Sequence, residues 1–341
     1  MTTIPKELGK PFNPGVQVNR LRFSPCGKAL VAACFDGTVR RWITTGKEPK
    51  ELPVLKGHNG WVSALAIRED RFYTADSWGR IIGWGDYLDQ EPKKVFEVAV
   101  AHDGWIRALA IAGDGVVSCG RDGFLRAWAD DGKKKCEVDT HADQMSLATA
   151  AGKVVAGDNL GTLRVFDVST LKEQKHFEVK ELHLLDRIQD VGGVRCMAFN
   201  DEGTRLYVGG AIPKTGGFVQ GTPLVVELEW PVGKRLSQFK GTADTEGFVH
   251  DMLWHPEGFI VGATSGQPGN GKMFCWKPGE AIPFNVFAKM ANCHSNTRNP
   301  VDGRLALAGT NSNSSGNGRV KSKDGDYSAN SSPIQLFEMG K

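Results

Sequence analysis

The sequence of 341 residues predicts an all-β fold assembled from repeats, on three observations. Three segments align without gaps over their cores: GHNGWVSALAIREDRFYTADSWGRIIGW, AHDGWIRALAIAGDGVVSCGRDGFLRAW and THADQMSLATAAGKVVAGDNLGTLRVFD. Each alternates apolar and polar residues over two or three short runs, the period of half-buried strands rather than helices. Each places a glycine five residues before its terminal aromatic, at Gly79, Gly123 and Gly161. A tight hairpin calls for such a residue because it must often take positive φ.

The same template extends along the chain. NRLRFSPCGKALVAACFDGTVRRW ends at Trp42 with Gly37 five residues before it. VRCMAFNDEGTRLYVGG followed by GTPLVVELEW fits with Gly221 and Val226, and FVHDMLWHPEGFIVGATSGQPGNGKMFCW ends at Trp276 behind Gly271. GRLALAGTN followed by SSPIQLFEM supplies a last unit with Phe337. The seven terminal positions are therefore 42, 84, 128, 166, 226, 276 and 337. The units span approximately 16–56, 57–100, 101–139, 140–180, 190–240, 247–288 and 289–339, one domain over 1–341.

GH or AH near the start of a unit, DG in its last turn and RRW, RAW or VFD at its end resemble the WD40 repeat, whose period is ~40–45 residues. The match is strong in units two and three, good in one and four and degenerate in five to seven. It is similar to the arrangement of small stand-alone bacterial WD40 proteins. The resemblance implies a seven-bladed WD40-type β-propeller and a His–Ser/Thr–Asp–Trp network that locks each blade. Unit three carries all four positions, His102, Ser118, Asp122 and Trp128. Unit two carries His58, Thr74 and Trp84 but has Trp78 at the aspartate position, and unit one has Ala32 at the Ser/Thr position. A His–Ser–Asp set could also be a hydrolytic triad, but a triad should occur once and this one recurs in pieces. Only Gly340 and Lys341 follow the last third strand, so residues 2–13 are expected to supply the outer strand of blade seven and close the ring, against the exposed edge of an open one.

Composition bounds the rest. A net charge of +3 is too small for a dominant nucleic-acid footprint. No basic and apolar leader opens the chain and no run approaches a membrane span. The seven cysteines are scattered and form no CxxC, which reads as reduced thiols in a cytoplasmic protein. The chain is expected to act as a monomer, without metal or other cofactor, and to bind neither nucleic acid nor membrane.

In the WD40 family the residue before each inner strand sits near the channel mouth, on the face shared by the loops between second and third strands. That position holds Gln17, Trp61, Trp105, Gln144, Gly193, Phe248 and Asn292. Tryptophan is enriched at interface hot spots, so Trp61 and Trp105 in adjacent blades are candidate anchors; alternatively each packs beneath its own loop. The loops at 210–223, 263–272 and 309–332 are enlarged, amide-rich and carry Lys214, Lys272 and Arg319. They are expected to raise a cationic wall beside the tryptophans, suited to a peptide with an acidic residue; by composition 311–332 could equally be disordered. Weaker candidates are Cys293–His294, His250 with His255, and ELHLLDRIQD at 181–190, read as a short helix or packed loop. The sequence is expected to encode a non-catalytic scaffold that binds a protein or peptide on the tryptophan face. An anionic small-molecule or glycan binder at the enlarged loops, or a propeller hydrolase, are the alternatives.

Overall fold

The computed structural model describes residues 3–46, 48–266, 270–310, 319–321 and 327–339. They form seven four-stranded sheets, the blades of a β-propeller, and two two-stranded hairpins. Among the described residues the helical turns are two 3-10 segments, Lys180–Leu182 and Asp244–Glu246. The chain divides into two compact units, one of residues 19–178 with 299–303, the other of 1–18, 179–298 and 304–341.

The first unit carries blades one to four. Their strands are Val18–Phe23, Ala29–Cys34, Val39–Ile43 and Lys50–Glu51; Val62–Ile67, Phe72–Asp76, Ile81–Trp84 and Lys94–Val98; Ile106–Ala112, Gly115–Gly120, Phe124–Trp128 and Lys134–Asp139; and Gln144–Ala150, Lys153–Asp158, Thr162–Asp167 and Glu173–Glu178. The repeat's turn glycine has φ of +82°, +89°, +83° and +82° at Gly37, Gly79, Gly123 and Gly161. Gly79 is fixed twice over, since a Cβ there would also lie 2.1 Å from the His102 carbonyl oxygen of the next blade. Apolar faces of neighbouring blades interlock: Ala29, Val31, Leu65, Phe72 and Trp84 form one core, and Tyr73, Phe96, Leu109, Val116 and Trp128 the next. Arg41 is fully buried and donates to the carbonyls of Pro53, Tyr87, Asp89 and Gln90, tying the strand of blade one to the loop that precedes the outer strand of blade two.

The second unit carries blades five to seven. Blade five is Cys196–Phe199, Arg205–Lys214, Gly217–Glu229 and Lys234–Lys240; blade six is Phe248–His255, Phe259–Ser265, Met273–Trp276 and Asn285–Phe287. Blade seven is Cys293–Arg298, Leu305–Gly309 and Ile334–Met339, completed by Pro5–Phe12. That N-terminal strand runs antiparallel to the last one, with Leu8 opposite Leu336, so the outer strand of blade seven is supplied by residues near the start of the chain.

Several sequence expectations change here. The enlarged segment at 210–223 is not an irregular loop: pairing continues from Arg205↔Glu229 to Lys214↔Gly217, making one long hairpin. Because the hairpin replaces a loop, counting from Gly221 misplaces the terminal position, and the residue opposite Leu206 is Leu228 rather than Val226. Gly271 is required for space rather than for positive φ, since a Cβ would lie 2.3 Å from the Asn292 Cα. Residues 181–190 are neither helix nor packed loop, apart from the 3-10 turn at Lys180–Leu182: His183–Asp186 pairs with Gln189–Gly192. Within 309–332, Arg319–Lys321 pairs with Tyr327–Ala329, while 311–318 and 322–326 lie outside the described residues, as do 267–269.

Candidate functional site

The blade networks hold the turns that carry the surface. In blade three, Trp128 Nε1 donates to Ser118 Oγ at 2.8 Å, Ser118 Oγ meets His102 Nε2 at 2.7 Å, and His102 Nδ1 meets Asp122 Oδ1 at 2.9 Å. With Ser118 donating to Nε2, a neutral imidazole carries its proton on Nδ1 facing Asp122, and Arg126 Nη1 also lies 2.8 Å from that nitrogen. Burial holds His102 below its ordinary pKa despite Asp122. Burial pushes Asp122 upward, but His102, Arg126 and the Phe124 amide outweigh it and hold the carboxyl well below the usual range. Arg126 Nη1 lies 2.7 Å from Asp122 Oδ2.

Blade two has the same chain, Trp84 to Thr74 to His58, with an aspartate the sequence alignment did not assign. Trp78 does not interrupt the network, because Asp76, two residues earlier, meets His58 Nδ1 at 3.0 Å. Asp76 Oδ1 also accepts the amides of Trp78 and Arg80. Trp78 is thereby released from the interior and is 67% exposed. Blade four departs further. His141 takes φ of +57° and turns outward, leaving the equivalent aspartate, Asp158, buried with Oδ2 unpaired. Burial raises the Asp158 pKa.

Above these networks, each inner strand of blades two to four carries a register shift at its start, between Val62/Ala64, Ile106/Ala108 and Gln144/Ser146. Bulges of this kind re-aim the residue at the strand entrance. Trp61 is 46% exposed, and its amide and carbonyl are both tied to Ser77. Its ring lies 5.4 Å from Phe35 and 5.8 Å from Trp105 between centroids. Trp105 is half-buried: Arg107 covers its face at 4.0 Å and pairs through Nη2 with Asp143 at 2.7 Å. The Trp105 Nε1 is buried without a hydrogen-bond partner. Two hollows adjoin at Ser77. One, of about 450 Å³, is lined by Phe35, Asp36, Asn59, Gly60, Trp61 and Trp78; the other, of about 630 Å³, by Asp103, Gly104, Trp105, Arg121, Phe124 and Arg126.

Phe35 is not signalled by the repeat template, and Asp36 and Trp78, which fall at the aspartate position of units one and two, are exposed on this surface instead of joining a blade network. The signal available was an aromatic residue inside the second-to-third-strand turn, one or two positions before the turn glycine. The remaining candidate positions behave differently. Phe248 is buried, with Arg195 over its ring, and cannot serve as an exposed anchor. Gln144 is fully buried and donates to Thr140, and Gly193 is buried. Gln17 lies 3.3 Å from His294 Nε2, and Asn292 accepts the Gly266 amide. Lys214 pairs with Asp244 at 2.6 Å and Lys272 with Glu246 at 3.1 Å, so neither contributes an unneutralised charge to a cationic wall. The side chain of Arg319 lies outside the described residues.

Cys293 is buried while His294 is partly exposed, as neighbouring residues on a strand should be. His255 is buried against Phe259, and His250 is only partly buried. Among the described residues no group of three His, Cys, Asp or Glu could hold a metal ion, and no helix is long and apolar enough to cross a membrane. The family model described as WD domain, G-beta repeat matches residues 12–42, the first repeat unit through Trp42. No curated protein matches the chain.

Proposed function

Because the chain is a WD40-repeat β-propeller, a fold that generally serves as a protein-interaction scaffold, we propose that it grips a peptide or protein segment on the aromatic surface of blades one to three. The observation that carries this reading is the contiguous set Phe35, Trp61 and Trp105 beside two adjoining hollows, with Trp61 and Trp78 strongly exposed. Exposed indoles held rigidly by backbone contacts present large area at low entropic cost, which is what interface anchors need. The work is non-catalytic binding, and the seven free cysteines fit a reducing, cytoplasmic setting.

Peptides selected from a displayed library against the wild-type protein provide the test, with affinities measured by calorimetry. The Trp61→Ala/Trp105→Ala variant should lose at least about tenfold in affinity, the ordinary cost of losing one modest anchor. A control variant, Leu185→Ser/Ile188→Ser on the exposed hairpin at 183–192, should bind as wild type. Binding that survives the tryptophan changes and fails in the control overturns the reading.

A further inference from the structure

The hollow beside Trp61 has the walls of a cation site. Phe35, Trp61 and Trp78 line it together with the carboxylate of Asp36. The turns converge closely there: a Cβ on Gly60 would lie 2.7 Å from the Trp78 ring, and one on Gly37 would lie 3.1 Å from the Gly60 carbonyl. Asp36 Oδ1 accepts the amide and hydroxyl of Thr38 at 3.0 and 2.6 Å, and no cation pairs with this carboxylate among the described residues. The arginines nearest in sequence are engaged elsewhere, Arg40 with Glu51 and Arg80 with Glu97.

The adjacent blade shows how the same pair of groups is satisfied when a cation is at hand. There the Arg107 guanidinium lies 4.0 Å from the Trp105 ring centroid and forks onto Asp143, with Nε and Nη2 at 3.2 and 2.7 Å from the two carboxylate oxygens. Around Trp61 the indole and the carboxylate recur without the guanidinium. We infer that this hollow receives an arginine side chain of the bound partner, stacked on an exposed indole and paired with Asp36. The inference rests on the proposed interaction surface and gives it a charge preference opposite to that expected from the enlarged loops. A planar guanidinium suits the site better than an ammonium, because it stacks on an aromatic face while keeping in-plane donors for the carboxylate.

Two measurements test it. In the first, indole N–H resonances of the full chain are followed while N-acetyl-arginine methylamide or its norleucine analogue is added; the Trp61 signal, assigned with Trp61→Ala, should move only with the arginine compound. In the second, peptide pools with a fixed central Arg, Lys, Leu or Glu are bound to wild type, Asp36→Asn and Trp61→Ala. The Arg pools should bind best, and Asp36→Asn should weaken them roughly tenfold, which is about 1.4 kcal/mol. The asparagine retains an oxygen for Thr38, and an unchanged melting curve would show that folding is intact. If Leu or Glu pools bind as well as Arg pools, or Asp36→Asn is silent while Trp61→Ala abolishes binding, the arginine assignment falls and the interaction surface stands. If Lys pools bind best, the guanidinium assignment falls. If Trp61→Ala leaves pool binding unchanged, the surface itself falls, and absence of both a Trp61 shift and pool binding overturns the inference outright.

Discussion

The Trp61 indole meets Trp105 edge to face, with planes at 83° and centroids 5.8 Å apart. The two rings share a surface but not an environment. Trp61 is 46% exposed, whereas Trp105 lies beneath Arg107 with its Nε1 buried. Their substitutions should therefore separate. Trp61→Ala should change unfolding free energy by no more than about 1 kcal/mol, typical of a surface position losing one aromatic contact. Trp105→Ala should cost about 2–4 kcal/mol, since it uncovers packed area and strips the Arg107–Asp143 pair of its support. Urea melts of both variants check this, and equal losses would contradict the assigned environments.

In blade two, Asp76 rather than Trp78 completes the network, so the two substitutions should differ sharply. Asp76→Ala leaves His58 and the amides of Asn59, Trp78 and Arg80 without their acceptor and should cost about 1–3 kcal/mol or more. Trp78→Ala, at an exposed turn position, should be close to neutral. In blade three, Asp122→Ala should likewise cost about 1–3 kcal/mol.

The pH dependence of blade three follows from the same bonds. His102 and Asp122 both titrate lower in the folded chain than in the unfolded one. The unfolded state therefore binds protons more readily in acid, and stability falls as pH falls. The His102 contribution is complete above its unfolded pKa of about 6.5 and is lost below it; the Asp122 contribution is lost from about pH 4 downward. Denaturation midpoints between pH 7 and 3 should decline, and His102→Gln should flatten the upper part of that decline.

Asp158 has the opposite sign. Its folded pKa is raised by burial, and Oδ2 has no partner. The folded state holds this proton more tightly than the unfolded state, so the carboxylate destabilises the fold as pH rises above its unfolded value. Asp158→Asn should raise the melting temperature at neutral pH while keeping an oxygen for the amides of Leu160 and Thr162. The gain should shrink near pH 4, and a loss at neutral pH would mean that the charge is compensated.

The N-terminal strand makes one further expectation. Deleting residues 2–12 removes the partner of Ile334–Met339, exposing Leu336 and Phe337 and a full strand edge. The deleted chain should melt lower and aggregate more readily, and a synthetic peptide of residues 2–13 should restore part of the lost stability.

What the amino-acid sequence determined by itself was whatever depends on local repetition. The two-residue alternation, the turn glycines Gly37, Gly79, Gly123 and Gly161, and the terminal Trp42, Trp84 and Trp128 were all legible, because each is a constraint on neighbouring backbone. The degenerate blades were less so: a hairpin replaced the loop of blade five and moved the terminal position to Leu228, since pairing register and not residue count sets the opposite residue. Tertiary structure alone decided which side chains face outward. Asp76 takes the acceptor role and frees Trp78, His141 turns out where His58 and His102 turn in, and Phe248 is buried beneath Arg195 while Trp61 is exposed. Charge followed the same rule, with Lys214 and Lys272 neutralised by Asp244 and Glu246 some 26 to 30 residues away in the chain. Exposure and net charge at a site are sums over neighbours that only folding brings together, and no spacing within one repeat encodes them.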